Sequence, residues 1–175
     1  PGSTVDGMEE LARVISASKK PIVGFIDGIA ASGGYWMASQ CSQIIASGKT
    51  SQVGCIGVMT QLADYTEALA AKGIKIHEVY ASGSTHKNKV ERDALAGEYQ
   101  GLVSELDKIN EVFHATVRSG RPNVKDSALT GKTYFAQEAK RLGLIDKIGT
   151  LDDAIAAAAN QSKKTNAMST NTNTT

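Results

Sequence analysis

The chain lacks several features that would mark it as a particular class of protein. No apolar run approaches the roughly 20 residues that span a bilayer, although 41% of the 175 residues are hydrophobic. A net charge of +1 gives no electrostatic argument for binding nucleic acid or a membrane surface. The two cysteines, Cys41 and Cys55, form neither a disulfide framework nor a metal-ligand spacing. We therefore expect a reducing compartment.

Short apolar segments alternate with amphipathic stretches along the chain. Apolar runs predict strands at 21–26, 43–47 and 144–148, and alternation of apolar and polar residues predicts one at 74–80. Helical spacing of apolar residues predicts helices at 8–18, 35–41, 61–72, 99–117 and 136–142, with a last helix from Leu151. The polar segment between 81 and 92 predicts a surface loop. This alternation predicts an α/β fold with a largely parallel sheet and flanking helices.

The length allows one domain with a sizeable core, which we place at residues 1–160. Residues 161–175 are rich in Ser, Thr, Asn and Lys, and they predict a disordered polar tail. The chain begins with Pro1 rather than Met, in a segment that resembles the end of a loop. We therefore expect a fragment whose N-terminal strands are missing.

A serine on a glycine-rich corner is the strongest chemical feature of the sequence. Ser32 stands between the apolar run 21–26 and the segment from Tyr35, in Gly-Ile-Ala-Ala-Ser-Gly-Gly-Tyr-Trp. A strand-to-helix junction would expose its hydroxyl and aim the Gly33 N–H at an oxyanion. The alternative is that Ser32 is a helix N-cap residue, with glycines that allow close packing.

A serine nucleophile needs a neighbouring group to take its proton. Three histidines could serve: His77 in a predicted strand, His86 in the polar loop and His114 on the long predicted helix. A lysine held neutral by burial could also serve, because desolvation lowers a lysine pKa. The polar loop offers Lys87 and Lys89, and spacing alone does not choose among these candidates.

Four stretches together resemble the signal peptide peptidase A family of serine peptidases. They are Pro1-Gly-Ser-Thr-Val, Ala31-Ser-Gly-Gly-Tyr, Val53-Gly-Cys-Ile-Gly-Val, and Thr130-Gly-Lys-Thr-Tyr through Asp146. They occur in the family's order, cover roughly residues 1–155, and have a lysine-bearing loop between the third and the fourth. The resemblance implies the α/β fold shared by Clp protease and the crotonases.

The resemblance also implies a Ser-Lys dyad that needs no metal and no cofactor. The family's nucleophile motif falls on Ser32, and its lysine loop falls on Ser84-Thr-His-Lys87, with Lys89 as the second choice. A neutral Lys87 would remove the Ser32 proton during attack on a peptide carbonyl.

Two positions depart from the family pattern. The family's Pro-Gly-Gly, which supplies an oxyanion-hole donor, becomes Pro1-Gly2-Ser3 here. The implied donors are the N–H groups of Ser3 and Gly33, with Gly2 in the same turn. Cys55 stands where cellular members often carry a serine that helps to hold the lysine, and a thiol is a weaker hydrogen-bonding partner.

Three details of the sequence resemble the branch of the family found in phages and prophages, whose members process capsid or scaffold proteins. These details are Ser84-Thr-His-Lys-Asn, Gly131-Lys-Thr-Tyr and the polar tail. We expect a peptide or protein substrate, a homo-oligomer, no nucleic acid partner and no membrane segment in this fragment. The expected location is the bacterial cytoplasm, or the membrane if the chain belongs to the cellular branch.

Three other functions are weighed against this hypothesis. A cellular peptidase that degrades signal peptides would use the same residues. A catalytically silent scaffold subunit would explain the substitutions at Ser3 and Cys55. A crotonase-type enzyme acting on a coenzyme A thioester would share the architecture, but it would need no serine at the corner.

Overall fold

The computed structural model describes residues 2–171, and it describes side chains as far as residue 165. Two compact units are present in it. The first contains the chain up to Gly57 together with the chain from Asn110 onward, and the second is Val58–Ile109. The prediction of a single domain over 1–160 stays a prediction, because compactness alone does not decide whether the units fold independently.

Two small sheets form the centre of the first unit. The first sheet is wholly parallel, in the order β1 (Val23–Ile26), β3 (Gln43–Ala46), β6 (Lys147–Ile148). The second sheet has the order β2 (Ile29–Ala31), β4 (Gln52–Gly54), β5 (Thr133–Phe135), with β2 parallel and β5 antiparallel to β4. The expected α/β fold with a largely parallel sheet is confirmed.

The apolar pattern of the sequence predicted the four-residue strands of the first sheet better than the three-residue strands of the second. In β3, Ile44, Ile45 and Ala46 are all buried, as expected for a parallel strand covered on both faces. β2 and β5 were not predicted, since each has only three residues. Their pairing with β4 is made by residues distant in sequence.

The helices largely follow the predicted apolar spacing. Those of the first unit are α1 (Met8–Ser16), α2 (Gly33–Ala38), α6 (Ala136–Arg141) and α7 (Leu151–Asn171). α5 (Gln100–Gly120) begins in the second unit and ends in the first. No helix within residues 2–171 combines the length and the apolarity that crossing a membrane would require.

The short helix α2 is held by its two aromatic residues. Tyr35 is fully buried, and its hydroxyl donates a 2.8 Å hydrogen bond to the carbonyl of Leu144. Burial raises the pKa of this phenol far above its usual range. The ring of Trp36 stacks on Phe113 of α5, with centroids 4.2 Å apart and planes inclined by 6°. Both contacts fix α2 against elements more than 75 residues away in sequence.

An ion pair ties the end of α5 to the first sheet. The Arg121 guanidinium donates to both oxygens of Asp146, at 2.9 Å and 2.6 Å. One of those oxygens also accepts the N–H of Ile44 at 2.7 Å. The Arg121 side chain is only 10% exposed, so this pair is more protected from solvent screening than an ordinary surface salt bridge.

Helix α7 corrects the prediction of a disordered tail from residue 161. The helix begins with a reciprocal cap, in which Thr150 Oγ1 accepts the Asp153 N–H and Asp153 Oδ2 accepts the Thr150 N–H. Its alanine-rich start and the absence of Gly and Pro in residues 151–171 allow it to continue to Asn171. Residues 172–175 of the predicted tail lie outside the described residues.

The second unit contains two short helices and the start of α5. They are α3 (Thr66–Ala71) and α4 (Lys89–Leu95). The predicted strand at 74–80 is wrong, because this segment forms no strand and pairs with no other strand among the described residues. Alternation alone cannot form a strand without a neighbouring strand to hydrogen-bond with. Its apolar side chains remain exposed, Ile76 to 69% and Val79 to 92%.

The Tyr35 hydroxyl gives a testable contribution to stability. Tyr35→Phe leaves the buried carbonyl of Leu144 without this donor, so we expect the free energy of unfolding to fall by about 1–3 kcal/mol. Tyr99→Phe is the matched control, because Tyr99 is 57% exposed and should lose almost nothing. Urea unfolding of both variants measures the difference, and equal stabilities would contradict the proposed anchoring role.

Candidate active site

Ser32 occupies a sharp corner between β2 and α2. Its backbone angles are φ 55° and ψ −127°, a region that residues with a Cβ rarely adopt. The Ser32 N–H donates to the carbonyl of Gly54, at the end of β4, with a length of 2.9 Å. The neighbouring strand therefore holds the corner in this conformation. A strained, over-determined backbone at a serine is a reason to look for function there.

The Ser32 hydroxyl is not used to cap the helix. α2 has no side-chain cap hydrogen bond, although Ser32 is its N-cap residue. The carbonyl of Ser32 accepts the N–H groups of Tyr35 and Trp36, both at 2.9 Å. The alternative that this serine serves as a capping side chain is therefore wrong. Its side chain is half-buried and remains available for chemistry.

The N-terminal segment lies directly beside this corner. A Cβ built on Gly2 would be 3.7 Å from both Cβ and Oγ of Ser32. A Cβ built on Gly33 would be 3.0 Å from Ser3 Cβ and 3.3 Å from Ser3 N, and it would overlap Ser3 Oγ. The structure thus brings Gly2 and Ser3 next to Ser32 and Gly33, although about thirty residues separate the two pairs in sequence.

Two backbone N–H groups in this cluster have no partner among the described residues. Among residues 2–171, neither the Gly33 N–H nor the Ser3 N–H donates a hydrogen bond. Gly33 is the first residue of α2, where an N–H has no acceptor in the helix itself. The Ser3 hydroxyl donates instead to the carbonyl of Thr4 at 2.8 Å. Free N–H groups next to a serine hydroxyl are what an oxyanion site requires.

Cys55 follows the residue that accepts the Ser32 N–H. It has a φ of 50°, and its own N–H donates to the carbonyl of Lys132 at 2.9 Å. The next carbonyl, of Ile56, accepts the N–H of Gly131 at 2.9 Å. Backbone hydrogen bonds from the 131–132 turn thus fix the strained Cys55, whose side chain is half-buried.

The three candidate histidines occupy different surroundings. His114 in α5 is half-buried, and its Nε2 has no hydrogen-bond partner among the described residues. Burial and the nearby Arg118 lower the pKa of this imidazole, opposed by a hydrogen bond with the backbone of Ile56. His77 and His86 belong to the second unit and are exposed, with His86 Nδ1 3.0 Å from Thr85 Oγ1.

The two candidate lysines lie in and next to the polar loop of the second unit. Lys87 is exposed, so the expectation of a lysine buried beside the serine is not met within its unit. Its Nζ makes no ion pair with the part of the chain that the structure describes. Lys89 is the first residue of α4, and its Nζ is 2.5 Å from Asp93 Oδ2. Of the two amines, Lys87 is therefore the one not already engaged by a carboxylate.

The described side chains, up to residue 165, include no group of three or more His, Cys, Asp or Glu residues arranged to hold a metal ion. The corner in the first unit places a serine hydroxyl next to backbone N–H groups. A match to a family model decides what kind of protein carries this corner. Residues 15–165 match the model of "Peptidase family S49".

The chain belongs to peptidase family S49. It is 32% identical over 164 residues to "Putative protease MJ0651" of Methanocaldococcus jannaschii, covering 89% of this chain and 51% of the relative. It is 30% identical over 170 residues to "Protease 4" of Salmonella typhi, covering 93% of this chain and 27% of the relative. The chain therefore spans about half, or less, of the length of these curated relatives.

The fold of this family S49 chain is similar to that of a solved structure. The structure is titled as a "Putative enoyl-coA hydratase" from Mycobacterium avium paratuberculosis K-10, and it covers 90% of this chain and 46% of its own with a TM-score of 0.51. At 18% identity the likeness shows the fold alone. The crotonase-type architecture implied by the sequence resemblance is thereby confirmed.

Sequence reasoning missed the contacts that build the corner. The sequence did not identify the carbonyl of Gly54 as the partner of the Ser32 N–H, or Cys55 as a residue with a positive φ. The available signal for an unusual backbone here was the glycine at position 54, which is buried in the structure and has a φ of 118°. A Cβ there would lie 2.8 Å from the carbonyl oxygen of Lys132, so only glycine fits.

The contact between Ser3 and Gly33 can be tested by a double-mutant cycle. Gly33→Ala should displace the Ser3 segment and destabilise the protein by about 1–3 kcal/mol through overpacking. In a Ser3→Gly background the same change should cost less, because the overlapping hydroxymethyl group is gone. Gly48→Ala, where nothing lies within 4 Å of the new Cβ, is the control. Thermal unfolding measures the loss of stability caused by Gly33→Ala in the wild-type and Ser3→Gly backgrounds. Equal losses in the two backgrounds would contradict the contact.

Proposed function

We propose that this chain is a serine endopeptidase domain in which Ser32 is the nucleophile and Lys87 is the general base. The observation that carries the proposal is the Ser32 hydroxyl, which stands on a strained corner and leaves its helix uncapped. Membership of peptidase family S49 supports the reaction class. The free N–H groups of Gly33 and Ser3 support an oxyanion hole next to that hydroxyl.

The proposed reaction proceeds by acyl transfer. Ser32 Oγ attacks a peptide carbonyl carbon while its proton passes to the lone pair of the Lys87 amine nitrogen. The carbonyl electrons move to oxygen, and the Gly33 and Ser3 N–H groups stabilise the oxyanion. When the carbon–nitrogen bond breaks, the lysine ammonium returns the proton to the leaving amine. In the second half of the reaction, the Lys87 amine takes a proton from water as the water attacks the acyl-enzyme. The same proton then passes to Ser32 Oγ as the ester bond breaks, which frees Ser32.

Lys87 is chosen over Lys89 on local grounds and over the histidines because the family motif falls on it. The Lys89 amine already pairs with the Asp93 carboxylate. His114 Nε2 is buried in α5 without a partner among the described residues, whereas His77 and His86 are exposed on the second unit, as Lys87 is. The lysine motif of the resembling family also falls on Lys87. Any base must bring its lone pair within hydrogen-bonding reach of the serine hydroxyl.

The two departures from the family pattern are compatible with this chemistry. The Ser3 side chain is turned to the Thr4 carbonyl, so the substitution leaves the Ser3 backbone N–H free. Cys55 is held through its backbone rather than its thiol. Processing of phage head proteins and assembly into a homo-oligomer stay predictions of the resemblance.

Covalent labelling tests the nucleophile. A fluorophosphonate should modify Ser32 stoichiometrically, and Ser32→Ala should abolish the modification while leaving the fold intact. Ser119→Ala, at an exposed position of α5, is the control and should label like the wild type. Mass spectrometry locates the adduct. Absence of labelling in the folded protein would support the alternative, a catalytically silent scaffold subunit.

Substitution of the two lysines tests the base. Lys87→Ala should lower kcat for peptide cleavage by about 10²–10⁴-fold, the usual contribution of a general base. Lys89→Ala should keep most of the activity, since it removes only the pair with Asp93. Because Lys87 is exposed, its removal should leave the thermal midpoint nearly unchanged. Full activity of Lys87→Ala would rule out this assignment.

A further inference from the structure

The loop that carries Lys87 is fixed by a second basic residue, Arg92. This side chain lies on α4, five residues after Lys87, and one guanidinium nitrogen donates a hydrogen bond to the Lys87 carbonyl. Arg92 is half-buried, whereas Lys87 and Lys89 are exposed. Its position next to the candidate base is therefore better ordered by packing than that of either lysine.

An aromatic ring holds the guanidinium in place. The Arg92 guanidinium carbon lies 4.5 Å from the centroid of the Tyr80 ring, in a cation–π contact. Tyr80 is half-buried, although the nine residues before it, 71–79, are all exposed. Its hydroxyl donates to Glu78 Oε2 at 2.5 Å. The ring is thus held from one side by Glu78 while its face supports Arg92.

These contacts close the polar loop at its base. Tyr80 immediately precedes the loop and Arg92 follows it, so their contact joins the two ends of the segment 81–91. Within the loop, the Lys87 N–H donates to the Ser84 carbonyl at 3.2 Å. Asn88, the next residue, adopts a left-handed conformation with a φ of 50° as α4 begins. The peptide groups on both sides of Lys87 are therefore specified by hydrogen bonds.

We propose that Arg92, stacked on Tyr80, is a positioning residue that sets the direction of the Lys87 side chain through the Lys87 carbonyl. The inference rests on the proposed function of Lys87 as the base. Arginine suits the role because its planar fork can stack on a ring and donate a directed hydrogen bond at the same time. A displacement of about 1 Å at a reacting group can cost roughly 100-fold in rate. Fixing the backbone at Lys87 therefore controls the proton transfer.

Kinetics of Arg92 variants test the proposal. We expect Arg92→Gln to lower kcat for peptide cleavage by about 10- to 100-fold, with KM nearly unchanged, because misplacing the base affects the chemical step. Arg92→Lys should recover only part of the rate, since an ammonium cannot stack and donate with the same geometry. Arg13→Gln, which removes a surface pair with Glu10, is the matched control and should behave like the wild type.

A double-mutant cycle separates positioning from a general loss of stability. In a Lys87→Ala background, Arg92→Gln should have no further effect on the residual rate, because there is no base left to position. Tyr80→Leu should resemble Arg92→Gln, whereas Tyr80→Phe keeps the ring face and should retain most of the activity. Wild-type kcat in Arg92→Gln, or an equal loss with and without Lys87, would overturn the proposal for Arg92.

The same variants distinguish this inference from the function on which it rests. If Lys87→Ala alone is inactive and Arg92→Gln is fully active, the base assignment stands and the positioning role is wrong. If Lys87→Ala is itself fully active, the base assignment fails and the positioning role fails with it.

Discussion

The hydrogen bond from the Ser32 N–H to the Gly54 carbonyl is the contact on which the site depends. It joins the end of β2 to the end of β4 and holds a residue with a side chain in a backbone region that costs of order 1–3 kcal/mol. The cost is met by interactions elsewhere in the first unit. Parallel pairing of β2 with β4, the buried Tyr35 and the stack of Trp36 on Phe113 all restrain the chain on both sides of the corner.

Local pattern predicted the parts of the fold whose residues carry their own signal. The apolar run at 43–47 became a buried strand, and the spacing from Tyr99 to Val117 became α5. Ser32 lies at a strand-to-helix junction as predicted, although the strand before it is the unpredicted β2 and not the run at 21–26. These features depend on residues close together in sequence, so the sequence alone contained the necessary information.

Features that depend on distant partners could not be predicted in this way. Three-residue strands such as β5 exist only because β4 lies next to them. The segment 74–80 has the alternation of a strand but finds no strand to pair with among the described residues. Arg92 looked like one more charge on a polar loop, yet the ring of Tyr80 and the carbonyl of Lys87 give it a defined position. The local sequence does not show whether a strand will find a partner, or whether an arginine will be held in one position.

The strained corner also sets stability and chemistry in opposition. Glycine is the residue that adopts a φ of 55° without steric cost, so it would relieve the backbone at position 32. It would also delete the Ser32 hydroxyl. A laboratory selection for heat resistance alone would thus favour Ser32→Gly, a variant without the hydroxyl proposed as the nucleophile.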